Sequence, residues 1–286
     1  MGMITSTLRR LDPRVWQIAS LSALLFYGVT SLQFDVSPGA IALIVGSALA
    51  TQLAFTRFTA LPQFEPKSAL ISALSLCLLL RSDSPLVLVA GSVIAIGSKF
   101  LIRHRGKHIF NPTNIAIVAL MASSNEAWIS PGQWGSVAYF AFLISCAGML
   151  VVYRAVRNDV TYAFLFAYLA LVFGRAIWLG DPMAIPLLKL QNGALLLFAF
   201  FMISDPKTTP DSRAGRILFA VAVAALGWWI QAKLWRSEGL LFSLALLSPL
   251  VPLIDRLLPG EKYEWQTAEP SPRLATVHQL STGGVA

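Results

Sequence analysis

Charge is what this sequence has least of. Of 286 residues only 13% are Asp, Glu, Lys or Arg, about half the share of an ordinary soluble domain. A water-soluble enzyme of one or two domains is excluded on that ground. Cysteine is nearly absent as well, with Cys77 and Cys146 the whole complement. Two thiols with no Cys-x-x-Cys spacing support neither a disulfide scaffold nor an iron–sulfur or zinc site. Inside apolar runs they read as small packing residues. Histidine occurs three times, at His104, His108 and His278. His104 and His108 are four apart but lie in a cationic, loop-like stretch split by Gly106, and His278 lies in a polar tail, so haem ligation is not expected. A P-loop, a Gly-x-Gly-x-x-Gly turn, a Ser-His-Asp set and a workable carboxylate pair are all missing, which leaves hydrolytic catalysis without support.

What is present is apolar sequence: 56% hydrophobic residues and a mean hydropathy of +0.67. The reading is an all-α polytopic membrane protein. Apolar stretches between charged or Pro/Gly-rich breaks give ten candidate spans, at 15–33, 39–56, 68–80, 85–102, 112–123, 134–153, 160–179, 183–203, 215–232 and 239–255. A helix needs about 20 residues to cross a bilayer, and the third and fifth are too short. The fifth opens on Asn111-Pro112, where helical hydrogen bonding cannot continue upstream. The expected organisation is a cytoplasmic N-terminus over 1–14, a membrane domain over 15–258, and a polar, disordered cytoplasmic tail over 259–286. No cleavable signal peptide is expected.

The basic residues set the orientation. With the N-terminus inside, 17 of the 22 Lys and Arg fall on the inner side, and Arg81, Arg175, Lys189, Lys233 and Arg236 fall on the outer side or in the outer half of a span. That bias places both termini in the cytoplasm. It also explains the net charge of +8 without a nucleic-acid partner. Trp128, Trp134, Trp178, Trp228, Trp229 and Trp235 fall near outer boundaries, as an aromatic belt would. Ten spans split five and five, and an odd number per half has the parity of an inverted repeat, whose ligand sites lie at short, broken helices.

Two inner boundary segments stand out. In Lys99–Asn114 a basic loop meets the broken fifth span. Asn111 and Asn114 flank a proline at a helix start, where free N–H groups attract anions or carbonyl oxygens. Lys99 and Lys107 are nearby cations. Either this is a ligand site or it is a positive-inside loop with a capped helix, and composition favours the second. In Phe200–Arg216, Asp205-Pro206 ends a long apolar run. A carboxylate there is costly unless bonded, and Thr208, Thr209 or a neighbouring loop would supply donors. An Asx-Pro turn closing a helix is an equal alternative. Lys189 in the interrupted eighth span either faces a cavity or snorkels to the outer surface.

These segments, in this order, resemble a membrane protein family shared by two electron-transport complexes. Its members are the RnfD component of the Rnf complex and the NqrB component of the sodium-pumping NADH:quinone oxidoreductase. The likeness rests on Gly106-Lys107-His108-Ile109-Phe110-Asn111-Pro112-Thr113-Asn114, on Phe200-Phe201-Met202-Ile203-Ser204-Asp205-Pro206 with Thr209-Pro210 and Arg213-Ala214-Gly215-Arg216, and on Val251-Pro252-Leu253-Ile254-Asp255-Arg256. It extends over roughly 15–258 and is sharpest after 190. The resemblance implies ten spans, inward termini, a bacterial-type inner membrane, partner redox subunits and flavin. Family members carry FMN on a threonine of Ser-Gly-Ala-Thr, and the sodium-pumping branch also holds riboflavin non-covalently near the asparagines of its Phe-Asn-Pro motif. Carried over, Asn111 and Asn114, with Lys99 and Lys107, become candidates for a non-covalent flavin (riboflavin or FMN), with Asp205 and Thr208 as the opposing wall.

Here the sequence departs from the pattern. It contains no Ser-Gly-Ala-Thr, and the loop that would hold it is cut to Ser123–Gln133. Covalent FMN is therefore not expected, and the chain is similar to divergent, stand-alone members of the family. A flavin-binding redox subunit is the leading expectation. A permease for a small flavin-like or natural-product molecule, and a purely structural membrane partner, are the alternatives. The charge bias is directly testable: a fluorescent protein fused after Ala286 should fluoresce, and alkaline phosphatase at the same place should be inactive. The opposite pair of results would reverse the orientation.

Overall fold

A computed structural model describes residues 12–59, 64–134 and 158–263. The expected sixth span apart from Trp134, with Cys146, lies outside the described residues, as do residues 1–11 and the tail beyond Tyr263.

Five helices in succession open on proline: α1 (Pro13–Ser31), α2 (Pro38–Phe58), α3 (Pro66–Leu79), α4 (Pro85–Leu101) and α5 (Pro112–Ser123). Proline's fixed φ suits the first helical position, and the N–H it lacks has no intrahelical partner there. Three of the five are capped by a side chain that accepts a backbone N–H, namely Asp12 from Arg14, Ser37 from Ala40 and Asn111 from Asn114. Then follow α6 (Asn158–Leu179), α7 (Ala184–Leu190) and α8 (Gly193–Leu197), the last running into a π-helical turn at Phe198–Met202. α9 (Arg213–Lys233), α10 (Gly239–Leu247) and α11 (Val251–Leu257) complete the described chain, with a 3-10 turn at Ser248–Leu250 around Pro249.

The chain is a polytopic helical membrane protein. Among the described residues α2, α6, α9 and the run Gly239–Leu257 are long and apolar enough to cross a bilayer, and α7 with α8 and its π turn makes a fifth, bent by 48°. α3, α4 and α5 are apolar but shorter, at 14, 17 and 12 residues. α1 fills the first expected span with a less apolar sequence. The expected short third and fifth spans thus correspond to α3 and α5.

Lipid offers no hydrophobic drive between helices, so close packing must hold them together. α2 packs against α4, α4 against α5, α6 against α9 and α9 against α10. The last pair approaches closely at Gly227, where an added Cβ would stand 2.6 Å from a Leu240 methyl.

Two short antiparallel pairs join helix ends. β1 (Leu80–Arg81) pairs with β4 (Trp128–Ile129), and β2 (Arg103–His104) with β3 (Lys107–His108). Arg105 and Gly106, at φ 50° and 82°, form the left-handed two-residue turn that suits a tight hairpin. His104 and His108 therefore sit on hairpin strands and share no helix face.

α3 rises about 21 Å, short of the ~30 Å hydrocarbon core, so its last carbonyls need partners. Arg81 supplies them: its guanidinium donates to the carbonyls of Cys77 (2.9 Å), Leu80 (2.7 Å) and Leu78 (3.3 Å) and to Gln133 Oε1 (2.8 Å). Arg81 is only 3% exposed, so it is a buried structural cation at the end of the short third helix. Trp134 also departs from expectation. It is buried and meets Phe34 edge-on at 4.8 Å, whereas Trp178 and Trp235 are exposed as a belt requires. Removing the Arg81 cap leaves several backbone acceptors unpaired. Arg81→Met should cost roughly 2–4 kcal/mol and Gln133→Ala about 1 kcal/mol, read as lowered thermal stability in detergent. Equal stability of Arg81→Met and wild type would contradict the capping role.

Candidate functional site

The two boundary segments meet at the start of α5. Asn111 Oδ1 caps the helix through the Asn114 N–H at 3.0 Å, which leaves the Asn111 amide free to reach across the protein. Nδ2 donates to the Met202 carbonyl (3.3 Å) and to Asp205 Oδ2 (3.4 Å). That carbonyl is open to a side chain because the wide turn Phe198–Met202 shifts the helical ladder and Pro206 cannot donate to it.

Asp205 closes its own turn by accepting the Lys207 N–H on Oδ1 at 3.0 Å, an Asx turn. The threonines bond elsewhere than expected. The Thr208 hydroxyl and N–H and the Thr209 N–H all donate to the backbone carbonyl of Asp205, not to its carboxylate. The reason is spacing: three or four residues downstream of an Asx turn the chain folds back on the carbonyl.

Asn114 lies one turn deeper and is 1% exposed. Its Nδ2 donates to the Leu241 carbonyl of α10 at 3.1 Å, and its Oδ1 has no hydrogen-bond partner. Thr113 donates to the Ser72 carbonyl of α3 at 3.3 Å. The first turn of α5 is thereby bonded to α3, α10 and the π turn together.

A cavity of about 320 Å³ opens beside this junction, at the small end of the range for ligand pockets. Lys99, Asn111 and Asp205 line it together, along with Ser68, Arg103 and His108. Lys99 is buried, and its ammonium donates to the Ser68 carbonyl (2.7 Å) and hydroxyl (3.0 Å). Thr208 and Asn114 stand behind the lining. Lys107 lies outside it: its ammonium is 2.8 Å from both Asp211 and Asp255, pinning the hairpin to the base of α11. Ser68, Arg103 and His108 were not singled out as ligand residues by their sequence. In the sequence His108 figures as a possible haem ligand and as part of the Gly106–Asn114 motif. Only their position between two charged segments, visible in three dimensions, marks them.

A second cavity, of about 330 Å³ and largely apolar, lies between α6, α7, α9 and α10. Lys189, exposed on α7, is at its edge, and Met202 lines both cavities.

Residues 124–264 match the family described as NQR2, RnfD, RnfE. Curated relatives are each named as the D component of an ion-translocating oxidoreductase complex. That of Citrobacter koseri is 30% identical over 131 residues, 46% of this chain and 33% of the relative. That of Erwinia tasmaniensis is 34% identical over 125 residues, 43% of this chain and 34% of the relative. That of Stutzerimonas stutzeri is 42% identical over 77 residues, 27% and 22% of the two chains. The matched part thus spans about a third of the first two relatives' length. The resemblance to this family holds for the second half of the chain, so the Phe110–Asn114 motif lies before the matched stretch.

His108 gives the site a pH signature. Burial, then the nearby charges of Arg103, Lys99 and Lys207, push its imidazole down from 6.5 to about 4, against a hydrogen bond to the Lys99 carbonyl. The folded protein holds this ring neutral, whereas the unfolded chain takes up a proton below pH 6.5. Stability is therefore full above about 6.5 and is lost as pH falls towards 4, by on the order of 2–3 kcal/mol. Thermal unfolding in detergent at pH 7.5 and pH 5 should show the drop, and His108→Gln should show a smaller one. Identical slopes would remove His108 from the account.

Proposed function

From a second half that resembles the NQR2, RnfD, RnfE family, we propose a membrane electron-transport subunit of the Rnf/Nqr type that holds a flavin non-covalently. The observation that carries this reading is the junction of Asn111 with Met202 and Asp205 at the wall of a cavity. The lining suits a planar heteroaromatic with donors and acceptors on its edge. Asn111 and Asp205 present an amide and a carboxylate, Lys99 an ammonium, and His108 Nδ1 is buried with no hydrogen-bond partner of its own.

A bound flavin supplies the one- and two-electron chemistry, and the protein positions and tunes it. Asn111 and Asp205 form the hydrogen-bonding wall. Thr208 holds the Asp205 backbone in place, and Asn114 ties the capped turn to α10. Lys107 contributes by fixing the hairpin that carries His108. Covalent FMN has no place in this reading, since the acceptor sequence is absent and Ser123–Gln133 includes β4 and the glutamine that braces Arg81.

The relatives' names speak of a complex, and other membrane redox subunits, in a bacterial inner membrane with both termini inward, are the partners this reading implies. An inverted repeat of five and five spans is supported by matching neighbours. α2 lies on α4 as α6 lies on α9, and α4 on α5 as α9 on α10, with α5 and the α10–α11 run both broken or short. A permease for a small molecule is the second reading, favoured by the two cavities that share Met202.

The test is an absorbance spectrum of the purified protein before and after acid precipitation. A flavin spectrum that moves wholly into the supernatant is expected. A colourless protein that also takes up no added flavin would overturn the proposal, and colour retained in the pellet would overturn its non-covalent part.

A further inference from the structure

A third cavity, of about 230 Å³, lies between the β2–β3 hairpin, the base of α11 and the segment that follows it. Of its lining only His108 is shared with the cavity beside Asn111. Four cations line it, Arg105, Lys107, Arg256 and Lys262, against two carboxylates, Asp211 and Asp255. Lys107 forms ion pairs with both carboxylates at 2.8 Å. Among the described residues Arg105, Arg256 and Lys262 form no ion pair. With both carboxylates counted the lining is still positive. Glu261, next to Lys262 in the chain, is exposed and not part of the lining.

The backbone sets these cations in place. Arg105 stands first in the left-handed hairpin turn, at φ 50°, a position usually given to Asn, Asp or Gly. Gly260 packs so closely on the start of α9 that an added Cβ would stand 2.5 Å from the Ser212 nitrogen. That contact seats the segment after α11, and two residues on the Lys262 ammonium reaches the Arg105 carbonyl at 3.5 Å.

Arg256 joins this lining to the outward face of α11. Its neighbours one turn back on the helix are Pro252, which lines the cavity, and Leu253, which is exposed. Leu253 belongs to a stripe with Leu246, Leu250 and Leu257, all exposed along the run Gly239–Leu257. Their spacing of three or four residues marks one helix face. On a run long and apolar enough to cross a bilayer, such a face lies against acyl chains. The cationic cavity adjoins the end of that stripe, at the level where headgroups begin.

We propose that this cavity seats the phosphate of an anionic phospholipid such as phosphatidylglycerol, with Arg105, Arg256 and Lys262 around the phosphate and an acyl chain along the leucine stripe. Each end of such a molecule finds its complement, charge in the cavity and apolar surface beside it. The cavity admits the phosphate and its glycerol but no acyl chain, so the chain runs outside, where Leu253 and Leu257 lie. A zwitterionic headgroup brings its own ammonium to the same cations and gains less from them.

The experiment titrates the full chain in detergent with phosphatidylglycerol, with phosphatidylcholine of the same acyl chains, and with inorganic phosphate, and counts bound lipid by native mass spectrometry. The first phosphatidylglycerol should bind at least about tenfold more tightly than phosphatidylcholine. The variant R105Q/R256Q/K262Q, altered at exposed side chains, should bring it to the phosphatidylcholine level. R57Q/R213Q, which removes two other exposed basic residues, should leave it within about twofold. Equal wild-type affinity for the two lipids would overturn the proposal. An equal loss in both variants would also overturn it, showing a diffuse attraction to basic residues at large. Displacement of the lipid by inorganic phosphate at equal concentration would overturn it too, showing a site for a free anion. Thermal unfolding checks that the triple variant folds. Should it melt lower than wild type, R256Q alone carries the test, with a loss of at least about threefold expected and no loss overturning the proposal.

Discussion

A helix that stops inside hydrocarbon exposes backbone groups that water cannot reach, and each must be satisfied from within the protein. That constraint shapes most of this molecule. α3 and α5 are too short to cross, and the α8 run ends in a π turn before Asp205-Pro206. The end of α3 and the π turn are each met by a side chain from a distant part of the chain. Arg81 and Gln133 serve the end of α3, Asn111 reaches the Met202 carbonyl, and Asn114 reaches Leu241. Of the polar groups brought in for this purpose, Asn111 lines the cavity and Asn114 stands behind it, while Arg81 and Gln133 serve the other end of α3. On that side the candidate site coincides with the closure of the π turn by Asn111.

Around it the inner boundary is braced by charge. Lys107 joins Asp211 and Asp255, and Asp255 also accepts the Asp211 N–H at 2.7 Å. Arg216 binds Asp159 through two nitrogens and the Asp211 carbonyl through a third, linking the starts of α6 and α9. At Gly215 an added Cβ would fall 2.9 Å from Ile254, so α9 and α11 touch there. Much of what Gly106–Lys107, Arg213–Arg216 and Val251–Arg256 contribute is this packed corner. The residues left over for ligand chemistry are fewer: Lys99, Asn111 and Asp205, with His108 between them.

Local signals were legible in the sequence. The Asn111-Pro112 step marks the short fifth helix, and the apolar breaks mark α3. Contacts between residues far apart were not. Arg81 reads as one more outer charge until the end of α3 is seen to need it, and Trp134 as one more belt residue until Phe34 covers it. Lys107 and Lys99 look alike on paper, yet one forms ion pairs with two carboxylates and the other hydrogen-bonds to Ser68. Hydrogen bonds across 94 and 127 residues have no periodicity to betray them.

The likeness to known electron-transport subunits covers the second half of the chain, while two thirds of the residues that line the cavity come from the first. The central claim is therefore that Asn111 and Asp205 act as one unit on a bound flavin. A double-mutant cycle tests this most directly: flavin affinity measured for wild type, Asn111→Ala, Asp205→Asn and the pair. Coupled residues should show an interaction energy of at least about 1 kcal/mol, with the double variant binding little worse than either single one. Strictly additive losses, or no loss at all, would contradict the claim.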